Sequence, residues 1–198
     1  MSQARASLRE ALSRRTGRRV RRRERAGVLI PILDDAGCLR LILTRRSNSL
    51  PTHGGQVAFP GGFVRPGEDD PATTALREAE EEIGLSPDSV EVLGLLDDQC
   101  ASAGTVAVTP VVGWIARMPP LVPQSGEVAR IFTIPVPDLQ RPDRWTSRRE
   151  PGAGRGRPVL CFEHRGETLW GLSARIVLSL LDLLPGGAPF SPRAAGDR

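Results

Sequence analysis

Hydrophobic positions along the chain fall in short runs cut by turn residues. Gly27-Val28-Leu29-Ile30-Pro31-Ile32-Leu33 is an apolar run of strand length, Asp34-Asp35-Ala36-Gly37 reads as a turn, and Leu39–Thr44 follows as the second arm of a hairpin. A polar, glycine- and proline-containing loop, 45–56, leads to a short strand Val57-Ala58-Phe59 that stops at Pro60-Gly61-Gly62. The pattern then changes period. Over 71–83, Ala72, Ala75, Leu76, Ala79 and Ile83 fall on one stripe about 100° wide, the core face of a helix. Asp70 suits its N-cap, Pro71 its first turn and Gly84 the position just past its end. Strands are predicted at 90–96, 105–115 and 127–134, with a hairpin joining 159–163 to 167–170 through Arg165-Gly166. A second amphipathic helix fits 173–184, ended by Pro185-Gly186-Gly187. Strands, helix, strands, helix, without an internal repeat, predict an α/β or α+β domain in which helices flank a sheet.

The length of 198 residues suits one such domain with tails. Residues 1–24 read as an arginine-rich, partly disordered arm with a short helix around Ala4 to Ser13. Residues 25–185 read as the domain, with a mobile loop at 141–158, and 186–198 as a frayed tail. Hydrophobic content of 39% is that of a water-soluble domain. No apolar run approaches the roughly 20 residues that span a bilayer, and Met1 to Arg25 lacks the apolar core of a secretory signal. The three cysteines form no CxxC pair, so a reducing, cytoplasmic setting is expected. All 27 Lys+Arg residues are arginine, and the net charge is only +4. The cluster Arg14 to Arg25 has no interleaved aromatics to stack bases, so a solvated arm is favoured over a nucleic-acid contact.

The chemistry concentrates in Arg77-Glu78-Ala79-Glu80-Glu81-Glu82-Ile83-Gly84-Leu85. With Glu78 set at zero, Glu82 lies about 40° away and Glu81 about 60° away on the other side, whereas Glu80 points elsewhere. Three carboxylates on one face beside a core stripe raise one another's pKa unless a cation neutralises them. Oxygen ligands of that kind select Mg²⁺ or Mn²⁺. Alone, such a cluster is more often a solvated charged face. The preceding segment reverses the odds: a strand ends in Gly61-Gly62, where backbone can approach a phosphate or metal closely, and Gly67-Glu68 brings a fourth carboxylate to the helix start.

Gly62-x5-Glu68-x8-Arg77-Glu78-Ala79-x-Glu81-Glu82-x-Gly84-Leu85 resembles the Nudix box, with one extra residue between Glu68 and Arg77. Leu43-Thr44-Arg45-Arg46-Ser47 and Gly55-Gln56-Val57-Ala58-Phe59-Pro60-Gly61-Gly62 resemble the upstream motif of the coenzyme A diphosphatase subfamily, with Pro51 where that motif carries an arginine. Further likenesses extend the resemblance over about residues 26–184. It implies the Nudix fold, a mixed β-sheet sandwiched between α-helices. It also implies a metal-dependent hydrolase that cuts the diphosphate of coenzyme A into 3′,5′-ADP and 4′-phosphopantetheine.

In that reading Glu78, Glu82, Glu81 and Glu68 with the Gly61 carbonyl are the candidate metal ligands, and Glu81 or Glu127 the general base. Arg45, Arg46, Gln56, Gly62 and Arg77 bind substrate. The partner is a small molecule, with neither nucleic acid nor membrane involved and homodimerisation left open. Two alternatives stand beside it: a Nudix pyrophosphatase for ADP-ribose, NADH or a dinucleoside polyphosphate, and a non-catalytic Nudix-fold binding protein. His53 is expected to stabilise its loop, His164 to sit on a hairpin surface and Trp170 to belong to the core.

Overall fold

The computed structural model describes residues 3–15, 17–101, 104–149 and 158–188. Strands β1 (Glu24–Asp35) and β2 (Cys38–Arg46) form the expected hairpin, with Ile32 opposite Leu41 and Asp35 opposite Cys38. Its two-residue turn places Ala36 and Gly37 at positive φ (50° and 89°), the backbone a tight hairpin demands, and the Gly37 N–H is held by the Asp34 carboxylate at 3.0 Å.

Around this hairpin lies an eight-stranded mixed sheet. On one side of β1, β7 (Val106–Ile115) runs parallel, from Glu24 opposite Val106 to Leu33 opposite Ile115. Strand β7 is also paired, antiparallel, by β5 (Glu91–Leu95) and β6 (Gln99–Ala101). On the other side β2 pairs β3 (Val57–Ala58) and β8 (Val128–Pro135), and β4 (Gly61–Phe63) returns to pair the start of β1. Every residue of β7 is buried, as expected of a central strand covered on both faces.

The faces carry different layers. Leu29, Leu33, Ile42, Val111 and Ile115 meet Ala75, Ala79 and Ile83 of helix α2 (Pro71–Ile83). The alternate residues Ile30, Ile32, Leu41, Leu43, Val112 and Trp114 belong to the opposite core. That core also holds helices α1 (Gln3–Ser13) and α4 (Gly171–Leu181), the short α3 (Val136–Leu139), and a second sheet of β9 (Trp145–Arg149), β10 (Pro158–His164) and β11 (Glu167–Trp170). Among the described residues no helix is long and apolar enough to cross a membrane.

Four expectations are corrected. The lead-in is not a loose arm. Leu8 and Leu12 are buried in the main core, and Asp97 and Asp98 collect the arginine-rich segment behind them. Asp97 accepts from Arg15 (2.8 Å) and from the Arg18 amide, and Asp98 from Arg19 (3.1 Å), the Val20 amide and Thr109. Carboxylates distant in sequence offset the like-charge repulsion that made this segment read as solvated. The stretch 141–158 contains β9, whose Trp145 is buried, packs 5.3 Å from the Phe162 ring and donates its indole N–H to the Leu139 carbonyl; residues 150–157 lie outside the described part, as do 189–198 of the expected tail. His164, the last residue of β10, is buried and stacks on Phe162 instead of lying on the hairpin surface. Trp170, expected in the core, is only partly buried where β11 passes into α4.

Candidate active site

Helix α2 is anchored at both ends by its own sequence. The Asp70 side chain accepts the Ala72 amide at 3.0 Å, Pro71 opens the first turn, and Gly84 takes the left-handed cap (φ 67°). The loop after β7 docks on the other end: the amides of Val122 and Gln124 donate to the carbonyls of Ile83 and Glu82, at 2.9 and 2.8 Å. The helix can press onto the sheet because glycine lies beneath it. A Cβ on Gly27 of β1 would stand 2.6 Å from the Pro71 carbonyl, and one on Gly61 2.6 Å from the Gly27 carbonyl.

The same close approach shapes the carboxylates. A Cβ on Gly62 would stand 2.5 Å from the Glu78 carboxyl group, so the glycine of β4 is the floor on which Glu78 rests. Glu82 is buried, and Glu78 keeps only 15% of its side chain exposed, whereas Glu81 is 45% exposed and Glu80 faces solvent. Burial thus separates Glu78 and Glu82 from Glu80 and Glu81, and Glu81 is tied to Glu78 through Arg77, which bonds both. Burial pushes the Glu82 carboxyl up to about 7; Glu78 and Glu127 push it the same way, while Arg46 and the Gly61 amide, which donates to it, act against them. Glu127 thus lies close enough to be felt at Glu82, although it comes from the loop before β8.

Arginines balance the remaining negative charge. Arg77 donates Nε to Glu68 at 2.6 Å, Nη1 to Glu78 at 2.6 Å and to Glu81 at 3.2 Å, and Nη2 to the Phe63 carbonyl at 3.2 Å. Glu68 also accepts from Thr74 (2.7 Å) and from the Arg65 amide (2.9 Å), and these bonds, Arg77's first, draw its carboxyl down to about 2. Both Glu68 oxygens are engaged in orienting Arg77 and the loop before the helix. Arg65, which the sequence reading overlooked, grips Glu81 with two bonds of 3.0 and 2.8 Å. Its signal was slight: an arginine in the loop between the glycines and the helix.

The upstream arginines part company. Successive strand residues point to opposite faces, so Arg46 reaches toward α2, 3.9 Å from Glu82, with its Nε buried and without a partner. Arg45 turns to the other face, 3.7 Å from Glu167 of β11. Gln56 lies behind Arg46: its carbonyl accepts the Arg46 amide at 2.9 Å and its side chain meets His53 Nδ1 at 3.2 Å. Gly61, Gly62, Glu68, Arg77, Glu78, Glu81, Glu82 and Arg46 converge, with Glu127 at the edge, and Arg45 and Gln56 stand apart.

The donor set suits a hard divalent cation. Burial, more than the neighbouring carboxylates, raises Glu82, and Arg46 at 3.9 Å only partly offsets it; the glycine floor keeps Glu78 beside it, so two carboxylates share a site that a divalent cation would neutralise. Among the described residues no three Asp, Glu, His or Cys side chains are grouped as a metal cage, and Arg77 and Arg65 hold Glu78 and Glu81.

The NUDIX domain model matches residues 23–152. The uncharacterized Nudix hydrolase NudL of Yersinia pestis (strain Pestoides F) is 39% identical over 159 residues, covering 79% of this chain and 77% of the relative. NudL of Yersinia pseudotuberculosis serotype O:1b (strain IP 31758) matches equally. Among solved structures, the Nudix hydrolase RenU from M. smegmatis superposes with a TM-score of 0.50 at 22% identity, over 61% of this chain and 75% of that one. A MutT/nudix family protein from Enterococcus faecalis does so at 0.50 and 17%, over 83% and 57%. These two structures speak for the fold alone. A family model spanning most of β1 to β9, and a relative this similar over most of its length, show that the chain belongs to the Nudix hydrolase family and is an enzyme of that class.

Proposed function

We propose that this Nudix hydrolase, acting on a nucleoside diphosphate derivative, cleaves the diphosphate of coenzyme A or its acyl derivatives. The observation that carries the substrate is the segment Leu43–Ser47 with Gly55–Gly62, which resembles the coenzyme A diphosphatase motif. Its Arg46 stands 3.9 Å from Glu82, beside the catalytic helix.

Glu78 and Glu82, with the Gly61 carbonyl and with Glu81 as either a further ligand or the base, would hold a Mg²⁺ or Mn²⁺ ion, which would supply charge neutralisation for the diphosphate and acidify a water. The chain's own groups do the rest. Arg46, partly exposed beside Glu82, would offer its terminal guanidinium nitrogens to a phosphate oxygen. Arg77 keeps Glu78 and Glu81 in place, and Glu68 keeps Arg77 in place. The proton of the attacking water passes to a carboxylate oxygen of Glu81 or Glu127. Glu81 is the first choice, because its carboxylate is 45% exposed and so open to water on the catalytic face. Gly62, by lacking a Cβ, leaves the room that the Glu78 carboxylate occupies beside the bound diphosphate. Glu68 is better read as the orienting partner of Arg77 than as a ligand, since its oxygens are already engaged.

Pro51, exposed in the loop where the motif carries an arginine, favours a second reading in which ADP-ribose, NADH or a dinucleoside polyphosphate is the substrate. Hydrolysis of coenzyme A, ADP-ribose, NADH and diadenosine polyphosphates with Mg²⁺ or Mn²⁺ separates the two. The expected products are 3′,5′-ADP and 4′-phosphopantetheine. Cleavage of ADP-ribose with coenzyme A untouched would move the assignment to the second reading, and no cleavage of any by folded protein would sink both.

A further inference from the structure

On the far side of β2 from Glu82, a cavity of about 210 Å³ opens between the edge strand β8 and the β10–β11 turn. Its walls carry the guanidinium groups of Arg40, Arg130 and Arg165, the His164 imidazole and the Phe132 ring, against a single carboxylate, Glu167. Glu167 is 5% exposed and fixes the arrangement: Arg130 binds it at 3.2 Å, and Arg45 lies 3.7 Å away. Arg130 also lies over the Phe132 ring, 5.9 Å from its centroid. Arg40 is held through its Nε by the Thr133 hydroxyl at 2.8 Å, so its terminal nitrogens keep their donors. Arg165 sits at the tip of the turn with φ 50°, a conformation L residues seldom adopt, next to Gly166 at 82°. Three cations face one anion in a confined space.

His164 sharpens the reading. It is 7% exposed and stacks on Phe162 at 6.5 Å and 15°, so its ring is fixed in orientation, and among the described residues no side-chain hydrogen bond claims it. Burial first, and then Arg165, Arg144 and Arg40, hold it below its ordinary pKa, with Asp138 opposing them. A nearly buried imidazole against excess positive charge, with arginine forks held from behind, lacks a multivalent anion.

We infer that this cavity is a phosphate-binding site, separate from the carboxylate helix, that takes a phosphate monoester or inorganic phosphate. Two sources share that chemistry. A substrate bearing a phosphate remote from the bond being cut could place it here, because Glu167 joins the cavity to Arg45 at the end of β2. A free phosphate could equally bind here as an effector.

The test uses the full chain without divalent metal and inorganic phosphate as the probe. The sequence has two histidines, so the His164 imidazole resonance can be assigned with a His53→Gln variant and followed by NMR. Phosphate should shift it saturably, and Arg40→Gln with Arg165→Asn should weaken that binding about tenfold or more, the order expected for losing charge-assisted bonds. Asn tolerates positive φ, and an unchanged melting temperature checks that the variant is folded. A His164 signal that does not respond to phosphate, or responds with the same affinity in the variant, overturns the site. Kinetics then divide the sources. If substrate supplies the phosphate, the variant raises KM about tenfold for coenzyme A and leaves dephospho-coenzyme A or ADP-ribose unchanged. If phosphate is an effector, added phosphate changes turnover of both substrates in the wild type but not in the variant. The NMR arm needs no catalysis, so it stands or falls independently of the coenzyme A reading.

Discussion

At the scale of single residues, Glu82 decides most. Its carboxyl is raised to about 7 from an ordinary 4.5, so the folded, metal-free protein binds this proton more tightly than the unfolded chain. The stability that follows is present in full below 4.5 and is lost as pH rises through 7. Thermal melts in EDTA should show the wild type losing on the order of 3 kcal/mol across that window, with Glu82→Gln lacking this loss. Saturating Mg²⁺ should remove it too, since a cation favours the ionised form. Equal slopes in both proteins would mean that Glu82 is not the group responsible. The same Glu82→Gln change should cut turnover by about two to four orders of magnitude while the fold persists, as expected when a metal ligand and its charge are lost. Arg77→Lys keeps a charge but not the fork that reaches Glu68, Glu78, Glu81 and the Phe63 carbonyl. Its kcat is expected to fall by about 10–100-fold, and an unchanged kcat would remove Arg77 from the positioning of the site.

At the scale of elements, α2 is a cap-to-cap helix whose placement depends on glycines elsewhere. Asp70→Ala removes the N-cap and should cost about 0.5–2 kcal/mol in urea melts, with kcat nearly unchanged. Gly62→Ala tests the opposite combination. Its Cβ would meet the Glu78 carboxyl at 2.5 Å, so the helix remains but Glu78 must move. Turnover should drop by about tenfold or more with little change in melting temperature, and full activity in this variant would show that Glu78's seat is not what the glycine protects. The helix, its caps and the inward placing of Glu78 and Glu82 were legible in the sequence, because they depend on residues within one or two turns of one another. The partners of Glu81 and Glu68 were not. Arg65 and Thr74 meet these carboxylates only once the loop from 63 to 70 has folded back against the helix.

At the scale of the whole molecule, the arginine-rich lead-in is part of the domain. Leu8 is fully buried in the core opposite α2, and Arg5 and Arg9 both pair with Glu91 of β5. Leu8→Ala should cost about 2–5 kcal/mol by equilibrium unfolding, as for other buried leucines, although the residue is far from the carboxylates. A cost within a few tenths of a kcal/mol would restore the picture of a loose arm. Removing residues 1–24 should therefore lower stability and activity together.

What the sequence determined by itself was periodic or local. Alternation and its breaks located the β1–β2 hairpin, β5, β7, β8 and the β10–β11 hairpin, a stripe of small apolar residues located α2, and the glycine–glutamate spacing located the chemistry. Only the tertiary structure decided which distant charges meet. Asp97 and Asp98 turned a run of like charges into a docked segment, and β9 formed within a stretch that lacks apolar periodicity because β10 supplies its pairing. Arg45 and Arg46, adjacent in the chain and equivalent by composition, went to opposite faces of one sheet, one to Glu167 and one to Glu82. Long charged side chains take their partners from whatever the packed backbone brings within a few ångströms, and sequence proximity carries little of that information.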